Sequence, residues 1–154
     1  MKSHIWMAIM MLIAFSACTD RPTAKNAAAE AVMTVIRDAY IYGIHIDRDV
    51  DAIRKGFHPA FNMLILRDDQ IIERPIETWI QMIEASLETD PGPSKVKTTH
   101  KFSIVDVTGH AATARIELFR DDVHVYTDYQ LLYKFSDGWK IVSKIFYRHP
   151  DSTQ

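Results

Sequence analysis

Val123-His124-Val125-Tyr126-Thr127-Asp128-Tyr129-Gln130-Leu131-Leu132-Tyr133-Lys134-Phe135, then Ser136-Asp137-Gly138, then Trp139-Lys140-Ile141-Val142-Ser143-Lys144-Ile145-Phe146-Tyr147-Arg148, reads as two long β-strands about a turn. β-Branched and aromatic residues dominate both runs, and an Asp-Gly step between such runs is a strong hairpin signal. Upstream, Val96 to Val107 and Ala111 to Phe119 form two further runs, set apart by Gly109-His110 and by Arg120-Asp121-Asp122. Connections this short make each successive pair antiparallel. The C-terminal half is therefore a four-strand meander.

The N-terminal half carries a different period. Ala28, Val32, Val35, Ile36, Ala39, Tyr40 and Gly43 follow helical spacing, which predicts a first helix from Ala27. Asp47 or Asp49 can cap a short second helix carrying Val50 and Ile53, stopped by Gly56 and His58-Pro59. A small hairpin follows, Ala60 to Leu66 and Gln70 to Glu73, turning at Arg67-Asp68-Asp69. Pro75 suits the first turn of a third helix, whose stripe is Ile76, Trp79, Ile80, Ile83 and Leu87. Helices first and a long meander last predict an α+β fold, with about three N-terminal helices packed on one face of a curved antiparallel sheet.

The chain opens on Met1-Lys2-Ser3-His4, an apolar run from Ile5 to Phe15, the small pair Ser16-Ala17, and Cys18, its single cysteine. One positive charge, a short apolar stretch and small residues before a cleavage point are the parts of a bacterial export signal. The run falls short of the roughly 20 apolar residues that span a bilayer. Phe15-Ser16-Ala17-Cys18 resembles the lipobox of bacterial lipoproteins, with Phe15 where leucine is usual. The expected organisation is a signal peptide (1–17), a lipid-anchored polar linker (18–26), one domain (27–150) and a tail (151–154), held in the bacterial cell envelope. The alternative, an ordinary signal cut near Ala17, would leave a lone thiol in an oxidising compartment, which acylation explains better.

Formal net charge is −2, and losing Lys2 with the signal moves it further negative. No Lys/Arg cluster is present, which argues against a nucleic-acid surface. Membrane contact is expected through the lipid anchor alone. His45, His58, His100, His110, His124 and His149 share no ligand-like spacing, so no metal is expected. Nucleophile elbow, phosphate loop and dinucleotide fingerprint are all missing from the sequence, and no cofactor is expected.

Gly56-Phe57-His58-Pro59, Tyr126-Thr127-Asp128-Tyr129-Gln130-Leu131-Leu132-Tyr133-Lys134, and Asp137-Gly138-Trp139-Lys140-Ile141-Val142-Ser143-Lys144-Ile145 resemble the putative lumazine-binding family. That family belongs to the nuclear transport factor 2-like superfamily, with its SnoaL-like and ketosteroid-isomerase-like members. The resemblance covers Ala29 to Pro150, and Asp68-Asp69 departs from the Asp-Gly common in relatives. It implies a cystatin-like cone, a bent sheet around three helices with a central pocket. Superfamily members include isomerases, dehydratases, hydrolases and binding domains, so the fold does not choose a function.

Strand alternation offers an independent view of the pocket. With tight hairpins, Thr113 opposite Asp128 and Asp128 opposite Phe146, one face collects Thr113, Arg115, Glu117, His124, Tyr126, Asp128, Gln130, Lys140, Lys144 and Arg148. The other, more apolar face collects Ala112, Ala114, Ile116, Leu118, Val125, Thr127, Tyr129, Leu131, Tyr133, Trp139, Ile141, Ser143, Ile145 and Tyr147, and is expected to meet the helices. Asp128 would then lie outside, ion-paired beside Arg115 and Lys144. Apolar spots at Phe102, Ile104, Phe119, Val142 and Phe146 on that outer face suggest a homodimer surface. A β-bulge would reverse the alternation beyond it.

On this alternation Tyr40, His58, Trp79, Thr127, Tyr129, Ser143 and Tyr147 are the ligand-binding candidates. Aromatic area with sparse hydrogen-bonding groups suits a small apolar or aromatic molecule. Two functions stay open. One is a non-catalytic, lipid-anchored cone that binds such a molecule or a protein partner. The other is a cofactor-free isomerase, dehydratase or hydrolase using His58 or Asp128, with Tyr40 or Tyr126 as hydrogen-bond donor to a developing oxyanion.

Overall fold

The computed structural model describes residues 24–150. The expected signal peptide, Cys18, the expected linker as far as Thr23 and the tail 151–154 lie outside the described residues.

Alanine-rich sequence and the first part of the apolar stripe wind α1, Ala24–Val35, which runs without a break into a π-helical segment, Ile36–Ile46, that carries the rest of the stripe to Gly43. In that segment each turn takes up one more residue than in an α-helix, and the Asp47 N–H still donates to the Tyr42 carbonyl, five residues back, at 2.7 Å. Of the two candidate caps, the structure uses Asp49: its Oδ1 accepts from the Asp51 and Ala52 N–H groups at 2.9 and 3.1 Å and starts α2, Val50–Gly56. Gly56 is required there, because a Cβ would lie 2.2 Å from that of Ala39.

Strands β1, Phe57–Arg67, and β2, Gln70–Pro75, form the first hairpin, turning on Asp68 and Asp69 with φ of 50° and 58°. After α3, Ile76–Thr89, the meander comprises β3, Thr98–Thr108; β4, Ala111–Arg120; β5, Val123–Phe135; and β6, Gly138–Arg148. One six-stranded sheet results, in the order β2-β1-β6-β5-β4-β3. All neighbours are antiparallel except β1 and β6, which are parallel, a departure from the purely antiparallel expectation. Their connection includes α3 and four strands, long enough for the crossover a parallel pair needs. Pro59, which has no N–H to give, falls in the irregular stretch of that pairing between Phe57 and Asn62.

Helix α1 lies across β3 and β6, and α3 lies across β1 and β2, so the helices cover one concave face. Val32, Ile36, Ile41, Ile53, Phe61, Ile80, Ile116, Leu118, Leu132 and Ile141 fill the space between the layers and are fully buried. The fold is thus α+β, as the order of elements predicts.

Two bulges decide which residues meet that core. Between Leu118 and Phe119 the β4–β5 register shifts by one, which reverses the face that Asp128 presents, and Asp128 pairs with Ile116, three residues from the Thr113 expected opposite it. Between Leu131 and Leu132 the β5–β6 register also shifts, leaving Val142 as the extra residue, while Asp128 keeps Phe146 opposite. The concave face therefore presents Ala112, Ala114, Ile116 and Leu118 with Tyr126, Asp128, Gln130 and Leu132, then Ile141, Lys144 and Phe146. Tyr129, Leu131, Tyr133, Ser143, Ile145 and Tyr147 turn to the convex face, with Lys140. The alternation read from tight hairpins assigned most of these residues to the wrong side, because one extra residue per strand inverts everything beyond it.

Candidate functional site

A cavity of about 350 Å³ opens between the concave face and the helices. Its rings are Tyr40 and Trp79 from the helices and Tyr126 and Phe146 from the sheet. Ile44, Met63, Met82 and Ile83 supply aliphatic wall. The polar groups are His45, Ser86, Lys144 and three arginines, Arg48, Arg74 and Arg120.

At its inner end three side chains close on one another. The Tyr40 hydroxyl donates to Asp128 Oδ2 at 2.5 Å and accepts from Lys144 Nζ at 2.6 Å. Lys144 Nζ also lies 2.8 Å from Asp128 Oδ1, an ion pair whose approach is not aligned as a hydrogen bond. Asp128 is 0% exposed and Lys144 5% exposed. The ammonium is further ringed by Tyr40, Trp79 and Phe146, with ring centroids 4.5, 5.5 and 5.3 Å away. Burial, then the Asp128 charge and hydrogen bond, push the Tyr40 phenol well above its ordinary pKa. Burial pulls the Lys144 ammonium below its ordinary value, against the opposing pull of Asp128.

His45 stands five residues after Tyr40. On an α-helix that separation turns a side chain about 140° away. On the π-helical segment it brings the two rings edge to face, 4.7 Å apart, so both line the cavity. Burial first, then the charges of Lys144 and Arg120, hold the imidazole well below its usual pKa, so it is neutral near pH 7. Its Nε2 is buried without a hydrogen-bond partner among the described residues.

The family profile described as putative lumazine-binding matches residues 25–147, nearly the whole domain. The chain belongs to the putative lumazine-binding family. Its solved structural neighbours include nuclear transport factor 2-like proteins of unknown function from three bacteria. That from Shewanella baltica is 24% identical with a TM-score of 0.62, over 79% of this chain and 93% of its own. That from Methylobacillus flagellatus is 20% identical with a TM-score of 0.62, over 83% and 97%. That from Silicibacter pomeroyi is 18% identical with a TM-score of 0.60, over 80% and 94%. At these identities the likeness is one of fold, which is nuclear transport factor 2-like. No curated protein matches the chain.

Within this family member, the structure brings together Tyr40, Trp79 and Tyr126 at the cavity, with Asp128 buried against Tyr40. Asp128 sits beside Lys144 as expected, yet inside the cone rather than outside it, and Arg115 is on the other face. Five of the ligand-binding candidates do not reach the cavity. Tyr129 and Tyr147 are exposed on the convex face, Ser143 donates to the Asn62 carbonyl at 3.2 Å, and Thr127 lies against His124 and His149. His58 stacks on Phe135 at 4.8 Å and accepts the Ala60 N–H, away from the cavity. Phe146, taken as an outer apolar spot, lines the cavity instead. Sequence reasoning did not place His45, Arg74 or Arg120 at the cavity. Arg120 was read as a turn residue, and His45 lies off the α-helical stripe.

The buried pair yields a direct test. Lys144→Met strands the Asp128 carboxylate in the core and is expected to cost about 3–5 kcal/mol of unfolding free energy in urea titrations. Adding Asp128→Asn, which keeps an acceptor for Tyr40, should recover most of that loss. A double variant as unstable as the single would locate the cost elsewhere.

Proposed function

We propose that the domain is a non-catalytic cone that binds a small, flat, apolar or aromatic molecule. The observation that carries this is a cavity walled by four aromatic rings whose nearest carboxylate is locked away. Both Asp128 oxygens are engaged by Tyr40 and Lys144, and Asp128 does not line the cavity, so it is not placed to take a proton from a bound substrate. Tyr40 spends its only proton on Asp128, which removes it as an oxyanion donor. His58 is outside the cavity. The family description names lumazine, a fused heteroaromatic whose flat faces suit ring-lined walls.

Trp79 makes the proposal measurable. Titration of lumazine and a panel of flat heteroaromatic compounds should give saturable quenching of tryptophan emission for at least one. Trp79→Ala should weaken that binding about tenfold or more. A panel with no saturable response overturns the reading.

We further propose that the domain is held in the bacterial envelope by a lipid on Cys18, in keeping with the signal-like residues before it. Cys18→Ser is expected to abolish lipid labelling and release the protein from the membrane fraction. Unchanged membrane association would reject the anchor.

A homodimer through the convex face is supported by the exposed Ile104, Tyr129, Leu131, Tyr133, Ile145 and Tyr147. Arg115 and Glu117 among them can complement each other across a two-fold axis. Light scattering should report a dimer that Leu131→Asp converts to monomer, and a wild-type monomer at high concentration would end the proposal.

A further inference from the structure

Four cationic side chains line the cavity, and no carboxylate does, in a chain whose net charge is −2. Two of the four are already committed. Lys144 is paired with Asp128. Arg48 is tied into the loop after α3, where it reaches the Asp90 carboxylate at 3.3 Å and donates to the Asp90 and Gly92 carbonyls at 2.8 and 2.5 Å.

Arg74 and Arg120 have no ion pair among the described residues. They come from far apart in the sheet, Arg74 from the β2 edge and Arg120 from the end of β4, with β1, β6 and β5 between. The curvature of the sheet brings both to one cavity. The ladder does not pair their strands, and the Arg120 guanidinium lies over the Tyr126 ring, 5.8 Å from its centroid. Two uncompensated guanidiniums facing one partly enclosed space repel each other, and an anion between them turns that repulsion into attraction. The guanidinium fork is matched to planar or tetrahedral oxyanions. His45 Nε2, buried and unpartnered at the same cavity, is a further polar group that a bound molecule can satisfy.

We propose that the cavity takes a flat aromatic molecule bearing an oxyanion, phosphate or carboxylate, with Arg74 and Arg120 holding the charged group and Trp79 and Tyr126 flanking the ring. This rests on the reading of the cavity as a ligand site and adds the charge of the ligand to it.

Calorimetric titration of the full-length protein with 2-naphthol, 2-naphthyl phosphate, 2-naphthoate and inorganic phosphate tests it. At least one charged naphthyl probe should bind roughly tenfold or more tightly than naphthol, as charge-assisted hydrogen bonds are worth in a partly desolvated site. The phosphate and carboxylate arms identify which head is preferred. Arg74→Gln and Arg120→Gln should each shrink the gap between charged and neutral probes, whereas Lys97→Gln, on the surface, should keep it. Naphthol binding as tightly as both charged probes overturns the inference and leaves the aromatic pocket standing. A gap that survives both arginine variants, or inorganic phosphate binding as tightly as its naphthyl ester, also overturns it. Failure of all three naphthyl probes to bind overturns the pocket reading itself, and the inference with it.

Discussion

A buried carboxylate–ammonium–phenol contact joins the two layers of this protein, and most of its interior is arranged around that contact. Asp128 and Lys144 belong to neighbouring central strands, and Tyr40 belongs to the helix packed over them. Taking both charges out of water costs several kcal/mol per ion, so the three groups must meet in one geometry or not be buried at all. That requirement fixes how the first helix is rotated and how far it is set along the sheet. It also ties up the Asp128 carboxylate, so that the groups lining the cavity are aromatic rings, cationic side chains and the His45 imidazole.

The cavity owes its lining to two local irregularities. The bulges near Leu118 and Val142 turn Tyr126 and Phe146 inward, and they turn Tyr129 and Tyr147 outward. Bulged strands also bend more sharply, which gives the sheet its concave side. On the helical layer the π-helical segment does the corresponding work by bringing His45 edge to face against Tyr40. Regular elements would have built the same layers with a different interior.

That contrast explains what could be read from the residues. Helix and strand positions followed from period, caps and turns: Asp49, Pro75, Asp68-Asp69 and Gly138 all punctuate the chain where their chemistry says they should. The motifs around Gly56, Tyr126 and Gly138 were enough to point to the family. Trp79 and Tyr40 were legible as cavity residues because each lies on the apolar stripe of a helix. The sheet residues were not, since hairpin turns set register only as far as the first bulge, and no single residue announces a bulge. The parallel pairing of β1 with β6 was also hidden, because local sequence carries no trace of a partner some eighty residues away. Arg74 and Arg120 look like ordinary surface arginines until curvature brings them together.

That parallel pairing has a consequence for how the chain is made. β6, the last strand, lies in the middle of the sheet, between β1 from the N-terminal half and β5 from the meander. Until it is in place, the first hairpin and the strands β3 to β5 have no shared neighbour, and Asp128 has no ammonium to meet. Contacts this distant in sequence are slow to form, because the loop between them must be closed before they contribute. A chain that lacks β6 holds two unmatched half-sheets, so the domain can fold cooperatively only once that strand has been made.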